Sequence, residues 1–204
     1  MHKGTRQQSF ERGNDLTKQV ILHTPLRDHY LEKLEAGDKV LLNGKIYTAR
    51  DAAHKILVQL IKEGKNLPFD ARGQVIYYVG PTPEKLGMAI GSAGPTTSGR
   101  MDPYTPILLD AGIKGMIGKG QRSREVIDAI VKNKSVYFAA TGGAGVLLAK
   151  SIKSSRVIAY EDLGPEAIRE LYVENFPCMV AIDTHGRNLY DEAVKKYRIP
   201  EKTN

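Results

Sequence analysis

Residues 39–64 read KVLLNGKIYTARDAAHKILVQLIKEG. The first half is apolar and strand-like; in the second, Ile56, Leu57, Leu60 and Ile61 recur at helical spacing and Gly64 supplies a stop. A strand that passes straight into a helix is the unit from which α/β domains are built. Inside the strand half, Asn43-Gly44 suits a type I′ turn, so KVLLNGKIYTA is expected to be a hairpin. An early hairpin makes the expected sheet mixed instead of wholly parallel.

Working outward, KQVILHTP before this stretch and QVIYYVG after it read as strands. Asp102-Pro103 opens a predicted helix through ILLDAG, GMIG is a short strand, Ser123 opens the helix REVIDAIVKNK, and SVYFAAT is another strand. The alternation continues as strand RVIAYED, helix PEAIRELYVEN, strand PCMVAID and helix NLYDEAVKKY. The expectation is one α/β domain with a mixed sheet over residues 16–204. A polar leader, residues 1–15 (MHKGTRQQSFERGND), precedes it as a candidate partner-binding segment, and the tail EKTN is loosely held.

At 204 residues and 41 % hydrophobic content the chain can bury a full core. It has no apolar run long enough to span a membrane, and its leader lacks the apolar core of a secretory signal, so a cytoplasmic location is expected and no membrane partner. One cysteine, Cys178, and five histidines without metal-binding spacing exclude a zinc or iron–sulfur site held by this chain alone. Cys178 lies in the apolar run FPCMVAID and reads as a small core residue. The net charge of +7 comes from lysines and arginines spread along the chain without a nucleic-acid-binding signature. That distribution argues against a phosphate- or RNA-binding module; the other reading of the charge is a site for small acidic substrates.

The stretch GPTTSGRMD, residues 94–102, has almost the count of a phosphate loop, but Arg100 stands where lysine belongs and Met101 where the metal-binding hydroxyl belongs. Arg100 is instead one of three cations at helix entrances. Thr48 and Asp51 have capping-box spacing, which puts Arg50 in the first turn of the helix, where the dipole disfavours a cation. Arg100 precedes Asp102, a natural N-cap, and Lys119 in GKGQRS precedes Ser123. Either each cation is solvated or carboxylate-paired, or the three converge on an external anion. Gly91, Gly94 and Gly99 let the backbone approach a ligand, and Thr96, Thr97 and Ser98 add hydroxyls that suit a carboxylate. The cluster ATGGAG, residues 140–145, either lines the same crevice or makes a tight structural crossing. His54, one turn after Arg50, reads as a hydrogen-bonded or partner-facing residue rather than a base.

In order and spacing, ARDAAH, GPTTSGRMD, GKGQRS, ATGGAG and AIDTHGRN resemble the β subunit, or C-terminal domain, of the iron–sulfur class I fumarases and the related L(+)-tartrate dehydratases. The likeness runs from about Leu16 to Tyr197. It implies a swivelling β/β/α domain, fumarase C-terminal-domain-like, that shares its active site with an α subunit carrying a 4Fe-4S cluster, in an α2β2 assembly. By motif position it implies that Arg50, Arg100 and Lys119 bind a small dicarboxylate and that Thr96 transfers the carbon-bound proton; the hydroxyl of Thr97 is expected to join the substrate-binding groups. It implies a malate–fumarate hydro-lyase or, in the alternative, a tartrate dehydratase. Gln121 for asparagine, and DTHG for DDKG, depart from the family pattern in ways that bear on substrate identity more than on the reaction.

Overall fold

The computed structural model describes residues 19–84, 87–140 and 145–197; the leader, the centre of ATGGAG and the EKTN tail lie outside them. Five strands run parallel in chain order: β1 Gln19–His23, β2 Lys39–Thr48, β3 Val75–Tyr77, β4 Gly115–Gly118 and β5 Val136–Ala139. Two more follow, β6 Ile152–Ala159 and the fifteen-residue β7 Ile168–Ile182, and β7 is antiparallel to β2, β5 and β6. Because β7 pairs with both β2 and β5, strands β2, β3, β4, β5 and β7 close into a barrel-like ring of five within the seven-stranded sheet. The helices are α1 Asp28–Leu31, α2 Asp51–Lys62, α3 Thr105–Asp110, α4 Arg124–Lys132, α5 Gly145–Lys150 and α6 Leu189–Tyr197.

Strand alternation sorts the core into two layers. Val75 and Tyr77 of β3, Ile117 of β4, and Val136 and Phe138 of β5 pack with Leu42, Val173 and Phe176 inside the ring. Their neighbours Ile76, Met116 and Tyr137 point the other way and pack with Leu57 of α2, Leu108 of α3 and Ile130 of α4. The helices therefore cover the outside of the parallel strands, and the chain crosses from strand end to helix start along one rim of the ring.

The sheet is mixed, as expected, but not because of a hairpin. Asn43-Gly44 forms a bulge inside a continuous β2, where the register against β7 shifts between Leu42 and Gly44. Asn43 locks that bulge: its carbonyl accepts from Thr24 N (2.9 Å) and its Oδ1 from Asn175 N (2.9 Å). The second correction is larger. PEAIRELYVEN, expected to be a helix, supplies the last two residues of the 3-10 segment Glu161–Glu166 and, after Ala167, the first half of β7. Ile168 and Leu171 have helical spacing, but β2 on one edge and β6 on the other bind this segment's backbone. Tertiary pairing overrides the glutamate-rich local preference.

Candidate functional site at the strand ends

The parallel strands β2, β3 and β4 deliver their C-terminal ends to the same rim, the place where α/β sheets bind ligands. Arg50 follows β2, Tyr78 continues β3, and Lys119 follows β4. The 94–102 loop folds back into the gap between the last two. Thr96 N donates to Tyr78 O (2.7 Å), Lys119 N to Thr96 O (3.3 Å) and Ser98 N to Lys119 O (2.9 Å), and Thr97 makes a parallel bridge with Lys119. Thr96 and Thr97 are thereby fixed within one ladder step of Lys119. Thr97 and Lys119 are exposed and Thr96 is half-buried.

Arg100 lies in a 3-10 turn, Ser98–Met101, and reaches across to Asp51 of α2, Nη2 to Oδ2 3.4 Å. Arg50 is the N-cap residue of α2, not a member of its first turn. The capping box is absent, since Thr48 is the buried end of β2, donating from Oγ1 to Ala167 O (3.2 Å) and accepting from Arg169 N (2.9 Å). The acceptor at the helix entrance comes from outside: Glu166 Oε2 takes Ala52 N–H (2.9 Å), while Oε1 lies 3.6 Å from Arg50 Nη2. Asp102 likewise does not cap α3, whose N-cap is Tyr104; its carboxylate turns to Arg122 Nε and Ser123 N, both at 2.7 Å. Ser123 caps α4 as expected, through Val126 N.

Two of the three cations thus rest against carboxylates, whereas the Lys119 ammonium has no carboxylate partner among the described residues. Arg100 and Asp51 are half-exposed, so their pairing contributes little to stability and leaves the guanidinium available.

His54 sits beneath Arg50, fully buried. Its Nδ1 is 2.8 Å from Arg50 O, which can only accept, so Nδ1 carries the proton and Nε2, without a partner among the described residues, bears a lone pair. Tyr78 stands edge-on to the ring at 5.2 Å. Burial pulls the imidazole down to about 4 from its ordinary 6.5, helped by Arg122 and opposed by the Arg50 carbonyl and Asp51.

Gly145, the last residue of ATGGAG and within the described part, is a tight crossing: an added Cβ would stand 3.0 Å from Gly94 N. Cys178 lies on β7, packed against the inner core, and burial pushes its thiol well above the ordinary range. Among the described residues no group of three His, Cys, Asp or Glu side chains could hold a metal ion, and no helix is long and apolar enough to cross a membrane. Sequence reasoning missed Arg122, whose side chain is wholly buried under the loops. Nothing in the residue types of its loop set it apart from the loop's other basic residue, Lys119, which is exposed.

The model of the fumarase C-terminus family matches residues 2–193. The chain is 42 % identical over 180 residues to a protein of Methanocaldococcus jannaschii provisionally named L(+)-tartrate dehydratase subunit beta, covering 85 % of this chain and 91 % of that one. It is 37 % identical over 194 residues to the anaerobic class I fumarate hydratase of Escherichia coli, covering 93 % of this chain but 35 % of that protein. With fumarate hydratase 2 of Leishmania major it shares 37 % over 166 residues, 80 % of this chain and 29 % of that one. The chain therefore spans nearly all of the first relative and about a third of the other two.

Proposed function

The chain belongs to the fumarase C-terminus family, and we propose that it is the β subunit of an iron–sulfur-dependent hydro-lyase that interconverts (S)-malate and fumarate. In this reading Arg50, Arg100, Lys119 and Thr97 hold the two carboxylates of the substrate. Thr96 takes or relays the proton from the carbon next to one carboxylate; its electron pair forms the double bond as hydroxide leaves the neighbouring carbon. The negative charge that develops on that carboxylate is stabilised by the fixed cations. A free hydroxyl is too weak a base at neutral pH, so Thr96 works with a neighbouring cation or an acid from the partner.

The observation that carries the proposal is the backbone ladder Tyr78–Thr96–Lys119, which ties two threonines to a lysine that has no carboxylate partner among the described residues, at the rim where Arg50 and Arg100 also lie. The donor set of this chain does not fit a 4Fe-4S cluster, since its one thiol is on β7 and packed against the core. The cluster is accordingly assigned to a partner α subunit in an α2β2 assembly, and no step here runs through it. The ring with its outer helices is assigned to the swivelling β/β/α architecture as one domain over 16–204, with the leader 1–15 as a partner contact, in the cytoplasm.

A second reading, the β subunit of an L(+)-tartrate dehydratase, is favoured by the 42 % identity to a relative matched along 91 % of its length. Co-expression with the candidate α subunit, anaerobic reconstitution with iron and sulfide, and assay of malate, fumarate and both tartrate enantiomers separate the two. Fumarate hydration supports the first reading and tartrate dehydration the second. Turnover of neither by an assembled, cluster-loaded complex overturns both.

A further inference from the structure

Arg122 is a fully buried cation, and its contacts join the segments that carry the proposed site. Its Nε donates to Asp102 Oδ1 (2.7 Å) and its Nη2 to Thr105 Oγ1 (2.7 Å), while the guanidinium lies 5.4 Å from the Tyr78 ring centre and 5.0 Å from that of Tyr137. Asp102 Oδ2 accepts from Ser123 N (2.7 Å), closing the carboxylate around the 119–123 loop. Thr105 Oγ1 in turn donates to Met101 O (2.8 Å). Tyr137 OH donates to Gly120 O (2.9 Å); its one proton is then used, so Ser98 Oγ donates to Tyr137 OH (2.9 Å).

Several of these contacts end close to a proposed site group. Asp102 is two residues from Arg100, Ser98 two from Thr96, Gly120 one from Lys119, and Tyr78 is the residue whose carbonyl holds Thr96 N. Stability alone is a poor reason for such a pair, because apolar replacements of buried ion pairs are often neutral or stabilising. What an apolar replacement lacks is direction. The planar fork fixes where Asp102 and Thr105 stand relative to the 119–123 loop, and a displacement of about 1 Å at a reacting group costs on the order of 10²-fold in rate.

We propose that Arg122 and Asp102 are positioning residues that hold Thr96 and Arg100 in register with Lys119. The inference rests on the hydro-lyase reading for its consequence in rate, but its structural part can be measured without turnover. The test uses the assembled complex of the full chain with its α subunit, carrying Arg122→Met together with Asp102→Asn, which keeps an oxygen for Ser123 N. The readouts are the unfolding midpoint, amide hydrogen exchange of residues 96–100 and 119–121, and kcat and KM.

The expected result is a midpoint near wild type, exchange in both loops faster by on the order of tenfold or more, and kcat lower by on the order of 10²-fold with a smaller change in KM. Arg122→Lys, which keeps the charge and loses the fork, gives an intermediate exchange rate and kcat. Should the double variant fail to fold, Arg122→Lys and Asp102→Asn, each made singly, carry the same test. Unchanged exchange in the folded variants overturns the proposal, and so does faster exchange with kcat within about twofold of wild type. A wild-type complex inactive on every hydroxy-diacid sinks the hydro-lyase reading instead, and the exchange data then still decide whether the pair holds the loops.

Discussion

Acidification from pH 7 to pH 4 should strip this fold of a defined amount of stability through His54. The imidazole is neutral in the native chain, with Nδ1–H committed to Arg50 O and Nε2 buried without a partner among the described residues, so a second proton would enter a site where those residues offer it no acceptor. Its native value of about 4 lies below the 6.5 of the exposed ring, so the unfolded chain takes up the proton first as pH falls. The contribution is fully present above 6.5 and is lost between 6.5 and 4. Over that window it amounts to about 3 kcal/mol, with about 1 kcal/mol already gone at pH 5.5. The assay is urea unfolding of wild type and His54→Leu at half-unit steps from pH 4 to 7.5. Leucine nearly conserves volume, and Arg50 O keeps its bond from His54 N in the helix. Carboxylate titrations elsewhere are common to both proteins, so the difference between the two curves isolates His54. Parallel curves would show that His54 does not carry this loss, as would an NMR titration that places His54 near 6.5 in the folded chain.

Arg100→Lys in the assembled enzyme keeps the charge but loses the fork that grips a carboxylate through two parallel bonds, so KM for the diacid should rise by on the order of tenfold with a smaller change in kcat; steady-state kinetics check this. Gly118→Ala should destabilise the chain by about 1–3 kcal/mol in chemical denaturation through overpacking. The added methyl meets Ser98 Oγ and stands 3.0 Å from Tyr78 Cδ2, so Ser98→Ala in the same chain should recover part of the loss.

The three cations were legible because capping chemistry makes a basic residue at a helix entrance conspicuous, and strand-to-helix crossings are where α/β folds expose their loops. The details of capping were not. Thr48 and Asp102 have the residue types of N-caps, yet both are captured by longer-range partners, Ala167 and Arg169 for the first, Arg122 and Ser123 for the second. Local pattern cannot weigh a bond between residues more than a hundred positions apart against one between near neighbours. The same limit hid β7: Glu166, Glu170 and Glu174 favour a helix locally, and only pairing with β2 and β6 makes the segment a strand. Asn43-Gly44 signalled a break in regular pairing, and whether that break becomes a turn or a bulge was decided by β7 on the far edge. Arg122 was invisible as a core residue because its charge reads as surface until Asp102, Thr105 and two tyrosine rings are brought around it.

The role of Thr96 is decided by the kcat of Thr96→Ala, measured for fumarate hydration by the assembled, cluster-loaded complex with Thr97→Ala beside it. Loss of the Thr96 hydroxyl should lower kcat by on the order of 10²- to 10⁴-fold with little change in KM, because the proton moves in the transition state while the carboxylate contacts remain. Thr97→Ala should chiefly raise KM. A Thr96→Ala complex that assembles and keeps most of its kcat would contradict the account, and a matching loss in Thr97→Ala would move the proton to the other hydroxyl.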